Sequence, residues 1–382
     1  MTNPLRIAVL GSTGSIGRQS LDVIAQFPDR FSVAALAAGQ NADLLAQQVV
    51  TFRPAYVASE RSNETLEAAL DSCGARRASM EEVALADDVD LLLVGTAGAA
   101  GLLPTLRALD AGRPVAIANK EVLVMAGHLV RKAMRGRDLL RPVDSEHSAI
   151  WQCLWGEAGH DVRRILLTAS GGAFRDFDQA QLAVVTPAQA LNHPTWNMGA
   201  KITVDCATLM NKGMETIEAM WLFDVPMDRV EVVLHRESIV HSLVEFSDGS
   251  VKAQLGYPDM RLPIQCALAY PDRMPQPPVA PLDLASIGAL HFGTPDSARF
   301  PCLRLAIEAG HTGGTMPAVM AAADEVAVAA FLSGRVGFLE IPSIIEAVME
   351  RHLPVANPSL EAILEADSRA RAEALSLAGA AV

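Results

Sequence analysis

Cysteine is scarce in this 382-residue sequence, and its five residues are Cys73, Cys153, Cys206, Cys266 and Cys302. Their number is odd and none of them forms a C-x-x-C pair, which excludes a disulfide-stapled scaffold and the common cysteine zinc motifs. Because an apolar strand pattern begins within a few residues of the first methionine, we expect no signal peptide. The composition therefore predicts a reduced, cytoplasmic protein.

Positive charge and long hydrophobic runs are lacking as well. Lysine and arginine number 31 against 44 acidic residues, a formal net charge of -13, so nucleic-acid phosphates would be repelled and we expect no such partner. The apolar stretch 91–106 is broken by Gly95, Gly98, Gly101 and Pro104 and is too short to span a bilayer. We expect no membrane partner, and any bound phosphate must be held by a local site.

Short apolar runs alternate with helical patterns in the first part of the chain. The runs "RIAVL", "FSVAALAA", "DLLLVG" and "PVAIAN" are typical of parallel strands that are buried on both faces. They predict the α/β fold class, with a Rossmann-like dinucleotide-binding domain over residues 1–142 whose ligand lies at the carboxyl ends of the strands.

The pattern changes around Val143. Mixed helices and less regular strands predict a central α+β catalytic domain over residues 143–270. The proline-rich stretch 271–297 predicts a stiff connector without regular structure. Helical patterns that each open with a proline predict a C-terminal helical bundle over residues 298–382.

The segment "RIAVLGSTGSIG" carries glycines at Gly11, Gly14 and Gly17, between an apolar strand and a helix. Such a turn lets backbone N–H groups and the helix N-terminus face a pyrophosphate. The alternative is a strand–helix turn that binds nothing. The second strand ends in "AAGQN", without the carboxylate that binds the ribose hydroxyls in NAD-binding proteins, which favours NADP.

A second motif, "PVDSEHSAIWQCL", contains two closely spaced carboxylates. If residues 143–146 are extended, Asp144 and Glu146 project to the same face. Two converging carboxylates repel each other unless a proton or cation lies between them, and a hard divalent ion such as Mg²⁺ or Mn²⁺ would satisfy both. The alternative is a solvated pair at a strand edge.

The segment "VDCATLMNKGMETIEAMWLF" predicts a helix that begins at Met214, with Asn211 and Lys212 just before it. An ammonium, an amide and free helical N–H groups together suit a phosphate or carboxylate. Glu215, in the first turn of this predicted helix, either stabilises the helix dipole or is a third metal ligand.

Two loops offer further candidate groups for an anion. The strand before Ser170 runs into a Ser-Gly-Gly sequence, which is either an ordinary loop or an anion site. His193 either binds an oxyanion or is structural. The segment around Trp196 is either a mobile lid that excludes water or a packed surface loop.

Taken together, these motifs resemble the 1-deoxy-D-xylulose 5-phosphate reductoisomerase family. The resemblance is carried, in the family's order, by "GSTGSIG", "ANKE", "VDSEHSAIWQCL", "LTASGGAF", "HPTWNMGAKITVDCATLMNKGMETIEA" and "GYPDMRLPI". It implies isomerisation and NADPH-dependent reduction of 1-deoxy-D-xylulose 5-phosphate to 2-C-methyl-D-erythritol 4-phosphate, in the non-mevalonate isoprenoid precursor pathway. It also implies a sugar phosphate substrate, a Mg²⁺ or Mn²⁺ ion (with Co²⁺ as a further candidate) and a homodimer.

The resemblance also implies roles for individual residues. The expected contacts of NADPH are Thr13, Gly14, Ser15, Ile16, Gly39, Gln40, Asn41, Asn119, Glu121 and Gly199. The expected metal ligands are Asp144, Glu146 and Glu215, which with Lys120 form the expected catalytic set. The expected substrate contacts are Lys120, Ser145, Glu146, Ser170, His193, Cys206, Asn211, Lys212 and Glu215.

Two positions depart from the family pattern. Cys206 stands where the family usually has serine, so a weak S–H donor replaces a hydroxyl at a cost of about 0.5–1.5 kcal/mol in phosphate binding. Gln40 stands where a basic residue is common, so recognition of the 2′-phosphate would depend more on the backbone and on Asn41.

Two other functions share part of these features. A metal-assisted hydroxy-acid dehydrogenase would have the same cofactor fold and cation but would not rearrange a carbon skeleton. A non-catalytic dinucleotide sensor would need neither the carboxylates nor the Asn211–Lys212 pair.

Because Gln40 carries no charge, we predict a smaller preference for NADPH over NADH than a basic residue would give. The substitution Gln40→Lys should raise the ratio of kcat/KM for NADPH to kcat/KM for NADH, since an ammonium attracts the 2′-phosphate. Steady-state kinetics with both dinucleotides measure this ratio, and an unchanged ratio in the variant would contradict the prediction.

Overall fold

The computed structural model describes residues 3–157, 161–196, 198–275 and 279–380. The chain divides into two compact units by the density of its internal contacts. The first unit comprises Met1–Val122, Leu129–Ser148 and Asp259–Ala280. The second comprises Leu123–His128, Ala149–Pro258 and Pro281–Val382. The boundaries predicted at residues 142, 270 and 297 stay predictions, because contact density does not test which segments fold by themselves.

Strands and helices alternate over residues 5–169, and beyond them runs of helices and runs of strands follow each other. The strands are β1 (Leu5–Leu10), β2 (Phe31–Ala38), β3 (Tyr56–Ser59), β4 (Arg76–Arg77), β5 (Leu91–Val94), β6 (Val115–Ile117), β7 (Leu140–Pro142), β8 (Val162–Ala169), β9 (Val230–His235), β10 (Val240–Phe246), β11 (Val251–Leu255) and β12 (Phe292–Gly293). The helices are α1 (Ser15–Gln26), α2 (Ala42–Phe52), α3 (Glu64–Cys73), α4 (Met80–Leu85), α5 (Leu102–Asp110), α6 (Lys120–Met134), α7 (Ser145–Leu154), α8 (Gln179–Leu182), α9 (Pro187–Ala190), α10 (Ala200–Thr208), α11 (Met210–Phe223), α12 (Arg261–Ala269), α13 (Leu284–Ile287), α14 (Cys302–Thr312), α15 (Met316–Leu332), α16 (Glu340–Arg351) and α17 (Leu360–Ala380). None of the helices in the described ranges combines the length and hydropathy that a bilayer crossing requires.

The first unit is built on a seven-stranded sheet in the order β4-β3-β2-β1-β5-β6-β7, with every pair parallel. Its central strands are fully buried, as their apolar sequences predict: residues 7–10 and 91–94 have no exposed surface. After β4 the chain returns to the other side of β1, so the order reverses between β1 and β5. A crevice forms at the carboxyl ends of strands at such a point. The predicted α/β class and parallel sheet are confirmed.

The second unit combines a five-stranded sheet with a large helical layer. The sheet has the order β11-β10-β8-β9-β12, in which only the β8–β9 pair is parallel among the described strands. Buried side chains of α10 and α11 form one apolar core with those of α14 to α17. Helix α11 lies so close to α14 that a Cβ on Gly213 would overlap the side chain of Ala306. The C-terminal helices therefore support the helix that carries Asn211, Lys212 and Glu215.

The predicted absence of regular structure in residues 271–297 is wrong for part of the segment. Helix α13 and strand β12 lie within it, and Phe292 of β12 pairs with His235 of β9. The reason is the distribution of prolines, since none occurs between Pro281 and Pro295. That proline-free stretch keeps the backbone N–H groups that a strand pair requires.

Candidate active site

The glycine turn of the first unit has the geometry of an anion cradle. Gly11 follows β1 with φ +81°, and a Cβ there would overlap the backbone of Gly95 after β5. A Cβ on Gly17 would overlap the backbone of Gly11 and Ser12, so helix α1 lies directly against the turn. Gly14 is the N-cap of α1, and no described side chain caps this helix end. The first-turn N–H groups of α1 are thus available to a negatively charged ligand.

A cavity of about 490 Å³ lies over this turn, at the carboxyl ends of β1, β2, β3 and β5. Its lining includes Gly14 and Gly39, two of the predicted cofactor contacts, together with Glu60, Ser79 and Thr96. The volume, the glycine backbone and the uncapped helix end all suit a dinucleotide. The residues present therefore fit the pyrophosphate of NADPH at this edge of the sheet.

Other predicted cofactor residues hold the rim of the first unit together. Asn41 and Asn119 are the N-caps of α2 and α6, where they accept the N–H groups of Leu44 and Val122. The amide of the buried Asn119 also donates to the carbonyl oxygens of Thr96 and Gly98, at 2.9 Å each. Asn119 thereby ties the loop after β6 to the loop after β5.

Further predicted contacts lie along the same helices. Thr13 and Ile16 are half-buried in the turn and in α1, as is Ser15, the first residue of α1. Glu121 is half-buried in the first turn of α6. Gly199, in the second unit, is the N-cap of α10.

The carboxylates after β7 lie in a helix cap, so the predicted extended conformation of residues 143–146 is wrong. Helix α7 begins at Ser145, and Asp144 Oδ1 accepts the N–H of Glu146 at 3.2 Å. The reason is that an aspartate before a helix satisfies the free N–H groups of its first turn. Asp144 and Glu146 are neighbours in a turn, rather than side chains on one face of a strand.

Around this cap the first unit gathers several predicted site residues. The ammonium of Lys120, after β6, forms an ion pair with Asp144, after β7. Ser145 donates to the Glu146 carboxylate, and the fully buried His147 lies 3.3 Å from Asp144 Oδ1 through its Nδ1. Lys120 is 8% exposed, so its attraction to Asp144 is only partly screened by water. Hard carboxylate oxygens of this kind suit Mg²⁺ or Mn²⁺.

In the second unit, helix α11 begins at Met210, four residues before the predicted start. The cause is Leu209, whose left-handed conformation (φ +64°) separates α10 from α11. Asn211 and Lys212 are therefore inside the helix, and Glu215 is in its second turn rather than its first. A helix-dipole role for Glu215 is thereby excluded.

The shifted helix start explains how Asn211, Lys212 and Glu215 meet. Residues three and four positions apart lie on the same helix face. Asn211 Nδ2 donates to Glu215 Oε1 and Lys212 Nζ donates to Glu215 Oε2, each at 2.6 Å. All three are nearly buried, at 5%, 6% and 1% exposed. One buried carboxylate is thus held by an amide and an ammonium.

A second cluster of the second unit is centred on a hydrogen bond between Ser170 and His193. His193 Nδ1 accepts the N–H groups of Thr195 and Trp196, so its Nε2 carries the proton that faces Ser170 Oγ at 2.9 Å. A Cβ on Gly172 would overlap the backbone at Cys206, so the Ser-Gly-Gly loop lies directly on α10.

The charges around His193 suit an anion. Burial, and next the charges of Arg175 and Lys212, lower the pKa of His193 from 6.5 to about 4. Sequence reasoning did not single out Arg175, which donates to the Ser170 carbonyl oxygen at 3.0 Å and so holds the loop. The sequence signal for Arg175 is its position five residues after Ser170, next to the Ser-Gly-Gly turn.

The predicted lid segment includes Asn197, which lies outside the described residues. Trp196 is half-buried, with its ring 6.1 Å from that of His241. The mobile lid and the packed surface loop both stay predictions for this segment.

Three family models match the chain in sequence order. The 1-deoxy-D-xylulose 5-phosphate reductoisomerase model matches residues 7–127, the C-terminal domain model of the same enzyme matches residues 140–223, and the DXP reductoisomerase C-terminal domain model matches residues 255–373.

Curated relatives agree with these models. The 1-deoxy-D-xylulose 5-phosphate reductoisomerase of Pelotomaculum thermopropionicum is 54% identical over 373 residues, covering 96% of each chain. That of Geobacillus kaustophilus is 52% identical over 377 residues, covering 97% of this chain and 99% of its own.

Solved structures of reductoisomerases are also similar. The Zymomonas mobilis enzyme in complex with NADPH is 42% identical, with a TM-score of 0.89 and coverage of 98% and 99%. A DOX-P reductoisomerase in complex with NADPH, fosmidomycin and magnesium is 37% identical, with a TM-score of 0.91 and 98% coverage of each chain.

The depressed pKa of His193 predicts a specific pH dependence of stability. Between pH 6.5 and pH 4 the unfolded chain binds a proton at this residue that the folded chain does not. The free energy of unfolding should therefore fall as the pH decreases through this window, and less steeply in His193→Gln. Urea unfolding at several pH values measures both slopes.

Gln47, on the exposed face of α2, provides the control for this measurement, because its side chain does not titrate. Gln47→Ala should keep the slope of the unsubstituted protein. If His193→Gln keeps that slope too, His193 is not held neutral by the fold.

Proposed function

We propose that, in this chain, which belongs to the 1-deoxy-D-xylulose 5-phosphate reductoisomerase family, the first unit binds the nucleotide and the second unit binds the phosphate group of the substrate. The activity is the NADPH- and divalent-metal-dependent isomerisation and reduction of 1-deoxy-D-xylulose 5-phosphate to 2-C-methyl-D-erythritol 4-phosphate, in the non-mevalonate isoprenoid precursor pathway. The observation that carries the assignment of residues is the cluster in α11, where Asn211 and Lys212 hold Glu215.

Asp144, Glu146 and Glu215 are the proposed ligands of the divalent ion. The support is the chemistry of the donors, since all three are carboxylates and two of them lie beside an ammonium, Lys120 or Lys212. When bound, the ion polarises two neighbouring substrate oxygens and NADPH supplies the hydride. Lys120 then donates a charged hydrogen bond to the reacting oxygens, and Ser145 binds the adjacent hydroxyl.

The proposed phosphate site consists of Ser170, His193, Cys206, Asn211 and Lys212. The neutral His193 and the Ser170 hydroxyl offer donors, while the positive charge of Lys212 attracts the phosphate. Cys206 contributes only a weak S–H donor at this site. Binding energy from the phosphate, which is remote from the reacting carbons, can be used to orient the substrate and exclude water.

The proposed nucleotide site uses the turn around Gly14, the β2 end at Gly39 to Asn41, and the α6 cap at Asn119 and Glu121. Gly199 remains a proposed contact of the cofactor. We also propose a homodimeric, cytoplasmic enzyme; the odd number of cysteines and the lack of a C-x-x-C pair in the sequence support a reducing compartment.

Product analysis tests the activity directly. Purified protein, NADPH, Mg²⁺ or Mn²⁺ and 1-deoxy-D-xylulose 5-phosphate should give a branched-chain polyol phosphate, identified by NMR, with one NADPH oxidised per product. An unbranched product would indicate a simple dehydrogenase, and metal-independent or absent oxidation would contradict the proposal.

The proposed metal role of Glu215 predicts the behaviour of Glu215→Gln. Because the substitution removes one anionic ligand, kcat should fall roughly a thousandfold or more, and the affinity for Mn²⁺ should fall with it. The Kd of NADPH should change by less than about twofold, since the glycine cradle is unaltered. Calorimetry measures both affinities.

The exposed Glu231, in β9, provides the control, because Glu231→Gln removes a charge that pairs with Arg164 on the surface. It should leave kcat and both affinities unchanged. Metal-dependent turnover that persists in a folded Glu215→Gln enzyme would remove Glu215 from the ligand set.

A further inference from the structure

A carboxylate and an amide meet at the ends of two neighbouring strands of the first unit. Gln40 follows β2 and Glu60 follows β3, and Gln40 Nε2 donates to Glu60 Oε2 at 2.7 Å. The backbone fixes this pair, because the N–H groups of Glu60 and Arg61 donate to the carbonyl oxygens of Ala38 and Gly39 at 3.3 Å. Glu60 therefore has a defined position beside the end of β2.

That position is where a dinucleotide fold binds the adenosine ribose. Glu60 and Gly39 line the same cavity as the glycine turn, and a Cβ on Gly39 would lie 3.4 Å from Glu60 Oε2. In NAD-binding folds an acid at the end of the second strand accepts hydrogen bonds from the ribose hydroxyls. The sequence "AAGQN" has no such acid, but the neighbouring parallel strand supplies one at the same place.

The charge of the cavity wall also favours a ribose without a 2′-phosphate at this position. Among the described residues that line it, Glu60 and Glu81 are acidic and there is no lysine or arginine. Arg77 donates to Ser59 at the rim, but its guanidinium is also paired with Glu67. A 2′-phosphate would thus enter a region of negative charge.

We propose that Glu60 determines the dinucleotide preference of this enzyme. Its carboxylate accepts hydrogen bonds from the ribose hydroxyls of NADH and repels the 2′-phosphate of NADPH, so the two dinucleotides bind with affinities within about tenfold of each other. This inference rests on the proposed function, because it requires that the cavity hold a nicotinamide dinucleotide.

The size of the effect follows from the charges. A phosphate monoester carries close to two negative charges at neutral pH, and the carboxylate is exposed, so water screens their repulsion. Replacing the carboxylate by an amide of the same shape should improve NADPH affinity roughly tenfold at low salt, and less at high salt. NADH affinity should fall a few-fold, because the ribose loses a charged acceptor.

The test measures the Kd of NADPH and of NADH by calorimetry on the full-length enzyme and on Glu60→Gln, at two salt concentrations. Adenosine 2′,5′-bisphosphate and 5′-AMP serve as second probes that isolate the adenosine half. We expect the Kd ratio of NADH to NADPH to rise roughly tenfold in Glu60→Gln, with the same trend for the two fragments. Glu64→Gln, at the exposed start of α3 and outside the cavity lining, should leave the ratio unchanged.

Combining two substitutions gives an independent measure. In the unsubstituted background the ammonium introduced by Gln40→Lys would pair with the Glu60 carboxylate, so part of its charge would be neutralised. The gain in NADPH affinity from Gln40→Lys should therefore be larger in the Glu60→Gln background. Equal gains in the two backgrounds would show that the two side chains act independently and would count against the proposed role of Glu60.

The outcomes separate this inference from the proposed function. If both dinucleotides bind and Glu60→Gln leaves their Kd ratio unchanged, Glu60 does not determine the preference, while the proposed function stands. If neither dinucleotide binds the unsubstituted enzyme, the proposed function fails and this inference fails with it.

Discussion

The pairing of carboxylates with buried lysines is the interaction on which the candidate active site depends. Glu215 is 1% exposed, and a lone carboxylate at such a position would be strongly destabilising. Lys212 and Asn211 satisfy both of its oxygens, and in the first unit Lys120 pairs with Asp144 in the same way. Each unit therefore places an ammonium beside a carboxylate. Such a pair can bind a divalent cation through its carboxylate and an anionic substrate through its ammonium, because both charges are already in position before the ligands bind.

Local geometry also has to overcome an unfavourable overall charge. The chain has a net charge of -13, yet it acts on a phosphorylated sugar with a phosphorylated cofactor. In the second unit, burial and a positive local field lower the pKa of His193, which stays neutral and donates from Nε2. In the first unit the proposed pyrophosphate region offers backbone N–H groups, and the proposed ribose region is acidic at Glu60. The two ends of the proposed nucleotide cavity therefore differ in their electrostatic character.

Particular segments show where sequence reasoning succeeded. The apolar runs of β1 and β5 predicted a buried parallel sheet, because few other structures bury four consecutive apolar side chains on both faces. The conformation of residues 143–146 was predicted wrongly, because the alternation of two carboxylates is compatible with a strand and with a helix cap. The start of α11 depended on Leu209, whose left-handed backbone has no sequence signal.

By itself, the sequence determined the strand–glycine–helix order of the first unit and the types of side chain that are available for catalysis. These properties are decided within a few residues along the chain, where propensity, capping and side-chain spacing act. Only the tertiary structure decided that Gln40 faces Glu60, that Ser170 faces His193, and that Gly172 lies on Cys206. Such neighbours follow from the order of strands in a sheet and from the packing of loops on helices, which bring together residues twenty or more positions apart.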